Sequence, residues 1–288
     1  MDKQAVNLLN TPIYPCLWFD GNAKQAAEFY CAVFADSVIV DENPMVVTFE
    51  SAGQKFMCLN GGPDFKFTPA ISFYTPILDE SEIQTVWDKL IENGRALMPL
   101  DSYPWSKKYG WVQDKFGVTW QLTIDRPDYS NQKFIPALMF SGANFGRAEE
   151  AIHFYSSIFG NSTTRLISRY RADDPNGQDG TINHAQFELS GKLFSVMDSV
   201  VVHDFDFNEA LSLVVECRDQ TQVDYFWEKL VEGGQESQCG WLKDKFGVSW
   251  QIVPEILHEL LADPDRSDRV IQAFMKMKKF DIEKLINA

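Results

Sequence analysis

The apolar run YPCLWF (residues 14–19) reads as a strand, and the pattern then shifts to a helical period over residues 22–34. In that segment Ala26, Phe29, Tyr30 and Val33 fall on one face, and Asn22 stands where an N-cap is expected. Strand-like runs return in MVVTFE and KFMCLN, joined by the turn SAGQ. The order then starts again. AISFYT reads as a strand, and Ile83, Val86, Trp87, Leu90 and Ile91 mark a helix that stops at Asn93-Gly94. GWVQ and VTWQLTI follow as a hairpin around DKFG.

Nearly the same text is then written a second time. FDGNAKQAAEFYCAVFADS from Phe19 corresponds to FSGANFGRAEEAIHFYSSIFGNS from Phe140, which has four residues more. FESAGQKFMCLN from Phe49 matches FELSGKLFSVMD from Phe187, and ESEIQTVWDKL from Glu80 matches QTQVDYFWEKL from Gln220. WVQDKFGVTWQL from Trp111 recurs as WLKDKFGVSWQI from Trp241, 130 residues later. The chain is a tandem duplication, and each half holds two βαβββ modules. This predicts an α+β fold of two domains, residues 1–127 and 133–255, with a linker near 126–133 and a helical tail over 256–288. A sheet with helices on one face leaves its other face bare. Two modules side by side then form a cup-shaped mixed sheet able to hold a ligand. The modules pair within a half or exchange between halves; both layouts agree with the sequence, as do a monomer and a homodimer.

Composition narrows the partners. The net charge of −15 argues against nucleic acid and anionic membranes, which demand clustered Lys and Arg. The one basic cluster, Lys276, Lys278 and Lys279, reads as the solvated end of a helix. No apolar run approaches the ~20 residues of a membrane helix, and the N-terminus lacks a secretory pattern, so a cytoplasmic location is expected. Five cysteines without a C-x-x-C pair read as reduced thiols, with Cys16, Cys58 and Cys217 as small core residues.

LWFDGNAKQAAEFYCAVF, WDKL…NG, GW…DKFGV-x-WQ and the tail FMKMKKFDIEKLINA together resemble the PhnB-like branch of the vicinal oxygen chelate superfamily. That superfamily is also called glyoxalase/bleomycin resistance/dioxygenase, and the branch carries the label 3-demethylubiquinone-9 3-methyltransferase. The resemblance spans residues 12–127 and 133–288 and implies two glyoxalase/bleomycin-resistance-like domains. In the superfamily's metal enzymes the strand of the last hairpin supplies a Glu ligand, which resembles Gln121 and Gln251 here. The label implies a nucleoside cofactor. The Gly-containing stretches at 60–62 and 232–234 and in DKFG follow hairpins or helix ends, so the Gly-rich turn of a class I methyltransferase is missing.

Strand alternation explains why a glutamine follows each tryptophan. Val118, Trp120 and Leu122 share the face beneath the helix, whereas Thr119, Gln121 and Thr123 face the cup. In the first half Gln121 and Asn60, with Cys58, are candidate pocket groups. In the second half His184, Asp198 and Gln251 lie on three strands; carboxylate, imidazole and carbonyl suit a divalent metal such as Zn, Mn or Fe. The alternative is a core histidine and an edge aspartate. Between its last helix and DKFG the first half is about ten residues longer than the second, and carries LDSYPWSKKYGW where the second has QESQCGW. Its Tyr103, Trp105, Tyr109 and Trp111 either clamp a ligand at the mouth of a cup or seal an interface. Two functions follow as expectations: a protein that binds a small, partly apolar or aromatic molecule, or a metal-dependent lyase, isomerase or dioxygenase.

Overall fold

The computed structural model describes residues 6–124, 129–174, 177–201 and 203–288; residues 126–128 of the expected linker lie outside that set. The first module comprises β1 (Ile13–Phe19), α1 (Ala23–Val33), β2 (Ser37–Glu42), β3 (Val46–Ser51) and β4 (Gln54–Asn60). The second comprises β5 (Ile71–Pro76), α2 (Glu80–Ile91), β6 (Arg95–Tyr103), β7 (Ser106–Gln113) and β8 (Thr119–Thr123). The third has β9 (Ile135–Phe140), α3 (Ala148–Ile158), β10 (Thr163–Arg169), β11 (Ile182–Leu189) and β12 (Lys192–Asp198). The fourth has β13 (Leu211–Cys217), α4 (Gln220–Leu230), β14 (Gln235–Glu236), β15 (Trp241–Lys243) and β16 (Ser249–Pro254). A tail of α5 (Ile256–Ala262), α6 (Ser267–Phe274) and α7 (Ile282–Ile286) follows.

The modules exchange between halves. Sheet one runs β14-β15-β16-β13-β1-β4-β3-β2 and joins the first module to the fourth. Sheet two runs β10-β11-β12-β9-β5-β8-β7-β6 and joins the third to the second. Both seams are antiparallel: β1 pairs with β13 in the register Ile13↔Val215, and β9 with β5 in the register Leu138↔Ile71. The covered faces of the two sheets share one apolar core, with rings touching across it at Phe56–Phe134 (5.3 Å) and Phe140–Phe246 (5.6 Å).

The repeated DKFGV-x-W stretch is a joint in this core. Asp244 Oδ1 accepts the backbone amides of Phe246 (2.8 Å) and Val248 (3.1 Å), which shapes the β15–β16 turn. Its Oδ2 accepts Trp250 Nε1 at 2.9 Å and the Tyr155 hydroxyl at 2.7 Å. Tyr155 belongs to α3 on sheet two, whereas Asp244 and Trp250 belong to sheet one. The carboxylate therefore ties a half's two modules together across the gap between sheets. Asp114 repeats the pattern with Phe116 (2.8 Å), Val118 (3.1 Å) and Trp120 (2.8 Å). There Tyr30 packs on Trp120 at 5.3 Å, but its buried hydroxyl makes no hydrogen bond to a described residue. Burial raises both carboxyls, Asp114 to about 6, against the hydrogen bonds that favour the ionised form.

Local expectations are corrected at several points. Asn22 occupies the N-cap position of α1, but its side chain makes no capping bond. The LDSYPWSKKYGW insertion is not a loose loop, because it lengthens the β6–β7 hairpin, whose counterpart β14–β15 is short. In the tail Val270 is buried while Ile271 and Met275 face outward, so the apolar residues of α6 are only partly covered. Lys278 and Lys279 lie beyond α6 and pair with Glu236 (3.2 Å) and Asp224 (2.6 Å), which pins the tail to the fourth module. All five cysteines are free, with Cys16, Cys58 and Cys217 buried as expected.

Asp244→Ala strips an acceptor from four buried donors. Urea unfolding is expected to register a loss of about 3–5 kcal/mol, with a smaller loss for Asp244→Asn, which keeps one acceptor oxygen. A loss under about 1 kcal/mol for Asp244→Ala contradicts the joint.

Candidate functional site

Alternation places half of each strand on the face away from the helices. In sheet two that open face carries Ser72 and Tyr74 of β5, Tyr109 and Trp111 of β7, Gln121 of β8, Ala137 of β9, His184 of β11 and Ser195 of β12. Gln121 is held at both ends. Its Oε1 accepts the Tyr109 hydroxyl at 2.8 Å, and its Nε2 donates to Ser72 Oγ at 2.7 Å. Trp111 sits opposite Gln121 in the β7–β8 register, and its buried indole N–H meets no acceptor among the described residues.

Tyr74 and His184 lie on strands three apart, roughly 14 Å along the sheet at the usual strand spacing. Their ring centroids nonetheless stand 5.7 Å apart. The sheet must bend for them to meet, and Ala137 and Ser195 are small enough to sit beneath the pair. His184 Nδ1 lies 3.4 Å from Ser195 Oγ, and burial holds the imidazole down to about 4, so it is neutral at physiological pH. At one rim Tyr103 stacks on Trp105 at 4.9 Å, and both rings meet Tyr109 edge-on at 5.8 and 6.0 Å. Trp105 is 62% exposed at the hairpin tip.

Sheet one bends in the same way, since Trp18 and Trp241, also three strands apart, meet at 5.8 Å. Its floor is more apolar. Tyr14, Cys16 and Val214 cluster there with Met57 and Leu59, and burial pushes the Cys16 thiol up to about 12. Gln251 Nε2 donates to Ser212 Oγ at 3.0 Å, the counterpart of the Gln121–Ser72 bond. This face is partly filled by the chain itself. Phe65 packs on Trp18 at 5.0 Å, and Trp18 Nε1 donates to the Gly62 carbonyl at 2.8 Å.

The candidate sets drawn within each half are divided by the module exchange. Gln251 lies on sheet one, whereas His184 and Asp198 lie on sheet two. Asp198 also points the wrong way. It shares the helix-covered side with Phe194 and Val196, where Oδ1 accepts the amides of Gly146 (2.9 Å) and Ala148 (3.1 Å) and Oδ2 accepts Ile182 (2.9 Å). Asn60 does the same work in the first module: Oδ1 accepts the Ala23 amide and Nδ2 donates to the Pro44 carbonyl, both at 2.9 Å. Both residues, at the end of a module's last strand, anchor the start of that module's own helix and face no cup. Cys58, two residues before Asn60 on the same side of β4, is core. A divalent metal on His184, Asp198 and Gln251 does not fit this donor set. Among the described residues no group of three His, Cys, Asp or Glu side chains is placed to hold one. Trp105, Tyr109, Gln121 and His184 do gather on one face, joined by Ser72, Tyr74 and Ser195, which sequence reasoning missed. A signal for Ser72 was present, since a serine stands at matching points of the apolar runs AISFYT and ALSLVV.

This architecture and the repeated motifs place the protein in a family. The model of the 3-demethylubiquinone-9 3-methyltransferase family matches residues 11–123 and 132–253, and the chain belongs to that family. It is a tandem member, with two family units in one polypeptide. A PhnB protein from Bacillus cereus is 44% identical over 38% of this chain and 96% of its own, with a TM-score of 0.36. A protein from Staphylococcus aureus is 30% identical over 40% of this chain and 98% of its own, with a TM-score of 0.19. Glyoxalase I from Zea mays shares the fold across 88% of this chain and 97% of its own, at 12% identity and a TM-score of 0.58. No curated protein matches the chain. No helix among the described residues is long and apolar enough to cross a membrane.

The depressed His184 value has a sign that can be tested. An unfolded histidine protonates near pH 6.5, so the folded state loses stability as pH falls from there towards about 4. Asp114 acts oppositely, losing its contribution as pH rises from about 4 to about 6. Comparing wild type with His184→Gln separates the two. The variant's urea midpoint is expected to fall less between neutral pH and about pH 4.5, by an equivalent of about 1–3 kcal/mol. Parallel pH profiles for the two proteins would show that the imidazole titrates normally.

Proposed function

We infer that the protein binds a small, partly apolar or aromatic molecule on the open face of sheet two. The observation that carries this reading is the wall of Tyr103, Trp105 and Tyr109 standing beside the fixed amide of Gln121. Rings held against one another offer a flat apolar surface at little entropic cost. A neutral His184 and a pre-oriented Gln121 add polar groups without charge. The Trp111 indole N–H, which meets no acceptor among the described residues, supplies a donor for a ligand hydroxyl or carbonyl. A neutral ring with one oxygen substituent suits this lining better than a polyanion does.

The second reading, a metal-dependent lyase, isomerase or dioxygenase, has weaker support. Asp198, its only carboxylate ligand, is engaged by three backbone amides, and Gln121 and Gln251 bring no charge. Methyl transfer has no support in the fold either. Both sheets are mixed and built largely of hairpins, and the amides at the glycine-containing turns into α1 and α3 are taken by Asn60 and Asp198 of the chain itself.

Titration with 2-naphthol, followed by tryptophan fluorescence, tests the binding reading. Saturable quenching is expected, with Trp105→Ala weakening the affinity about tenfold and Gln121→Leu about fivefold. Native mass spectrometry of protein purified without chelator is the companion measurement. Binding that both variants leave unchanged removes the site, and stoichiometric zinc, manganese or iron revives the metal reading.

A further inference from the structure

We propose that a cavity on the seam between the two sheets, apart from the open face of sheet two and bordered by Tyr14, is a second binding site, for a small aromatic acid with a single carboxylate. Its volume is about 150 Å³, a size that holds one six-membered ring. The inner wall is buried and apolar: Ile13, Pro15 and Leu213 come from sheet one, and Phe134, Pro136 and Phe194 from sheet two or its approach. The mouth carries Lys55, Lys192 and Glu216.

The duplication explains why space exists here. Ile13 and Phe134 are equivalent positions, as are Pro15 and Pro136, and Gln54 and Lys192. Gln54 turns inward and bridges the halves, donating to the Phe134 carbonyl at 2.8 Å and accepting the Phe134 amide at 2.7 Å. Its counterpart Lys192 turns out to solvent. The two sides of the seam are therefore filled unequally, and the gap is left on one of them.

The polar groups around this gap decide its ligand. Prolines 15 and 136 have no N–H to offer. The Gln132 amide is spent on Leu193, accepting from its N–H and donating to its carbonyl, both at 2.8 Å. What faces the space is charge. Lys55 pairs with Glu216 at 3.3 Å and lies 4.2 Å over the Tyr14 ring, so those two charges offset each other. Lys192 is left as a net positive charge at the mouth, on a chain of net charge −15. An apolar ring with one carboxylate satisfies both the wall and the mouth. A second carboxylate would meet Glu216.

Ligand-observed fluorine NMR with 4-fluorobenzoate tests the site on the full-length protein, with 4-fluorobenzyl alcohol as the neutral comparison. Saturable binding of the acid is expected, about fivefold tighter than the alcohol, as suits one half-exposed charge contact. Lys192→Met should abolish that difference. Pro12→Trp, at the exposed rim, should weaken both probes by covering the mouth, and Trp105→Ala should change neither. The proposal is overturned by absent binding, by equal affinity for acid and alcohol, or by indifference to both seam variants. Loss of binding in Trp105→Ala overturns it as well, by moving the probe to the open face of sheet two.

Discussion

A buried carboxylate that accepts an indole N–H and two turn amides is the constraint on which this fold turns. Asp114 and Asp244 each close a hairpin and hold a core tryptophan; Asp244 also reaches a tyrosine on a helix of the other sheet. The charge is tolerable in the core only because every donor is in place at once. That requirement couples turn shape, tryptophan rotamer and the spacing of the two sheets. It also accounts for the long shared run in the two halves: Asp, Gly, Val and Trp have fixed jobs in one joint, and Gly247 has φ +89°, which a side chain adopts only with strain.

Asp244 links the two modules of the second half across the gap between sheets, and the packing of Tyr30 on Trp120 links those of the first, so the two modules of a half lie in different sheets. Pairing falls to the other half, and β1 finds β13 some 200 residues away. The seams thus bear the association of the halves, while the joints bear the association of the sheets. Gln54 and Gln132 act as backbone surrogates, Gln54 closing a pair of amide bonds onto Phe134 of the other half and Gln132 tying the linker's end to Leu193 of β12.

Much of this was legible in the residues. The duplication, the four modules and the α+β class follow from periodicity and repeated text, and the inward Trp120 and outward Gln121 follow from alternation alone. Alternation also held the correction to the misplaced ligands. Phe56 and Cys58 are core, so Asn60 two residues on must share their face, and Phe194 and Val196 say the same of Asp198. Chemical type had been weighed there ahead of parity. The capping of α1 by Asn60 instead of Asn22 was beyond local reading, since the partner lies 37 residues away. The pairing of modules was equally hidden, because both layouts bury the same faces. Ser72 and Tyr74 joined the site for a reason no single strand reveals, the bend that brings Tyr74 to His184.

The exchange of modules has a consequence for how such a protein can change. In a symmetric dimer of one unit, each sheet would take the same two surfaces, and every substitution would appear in both. Joined in one chain, the two sheets draw on four separately encoded surfaces. Cys16 faces Ala137 in the repeat, Val214 faces Tyr74, and Val46 faces His184. One basin has become oily and partly plugged while the other has acquired an imidazole and an aromatic wall. Covalent fusion thereby releases a pair of once-identical basins from drifting in step, and each becomes free to specialise.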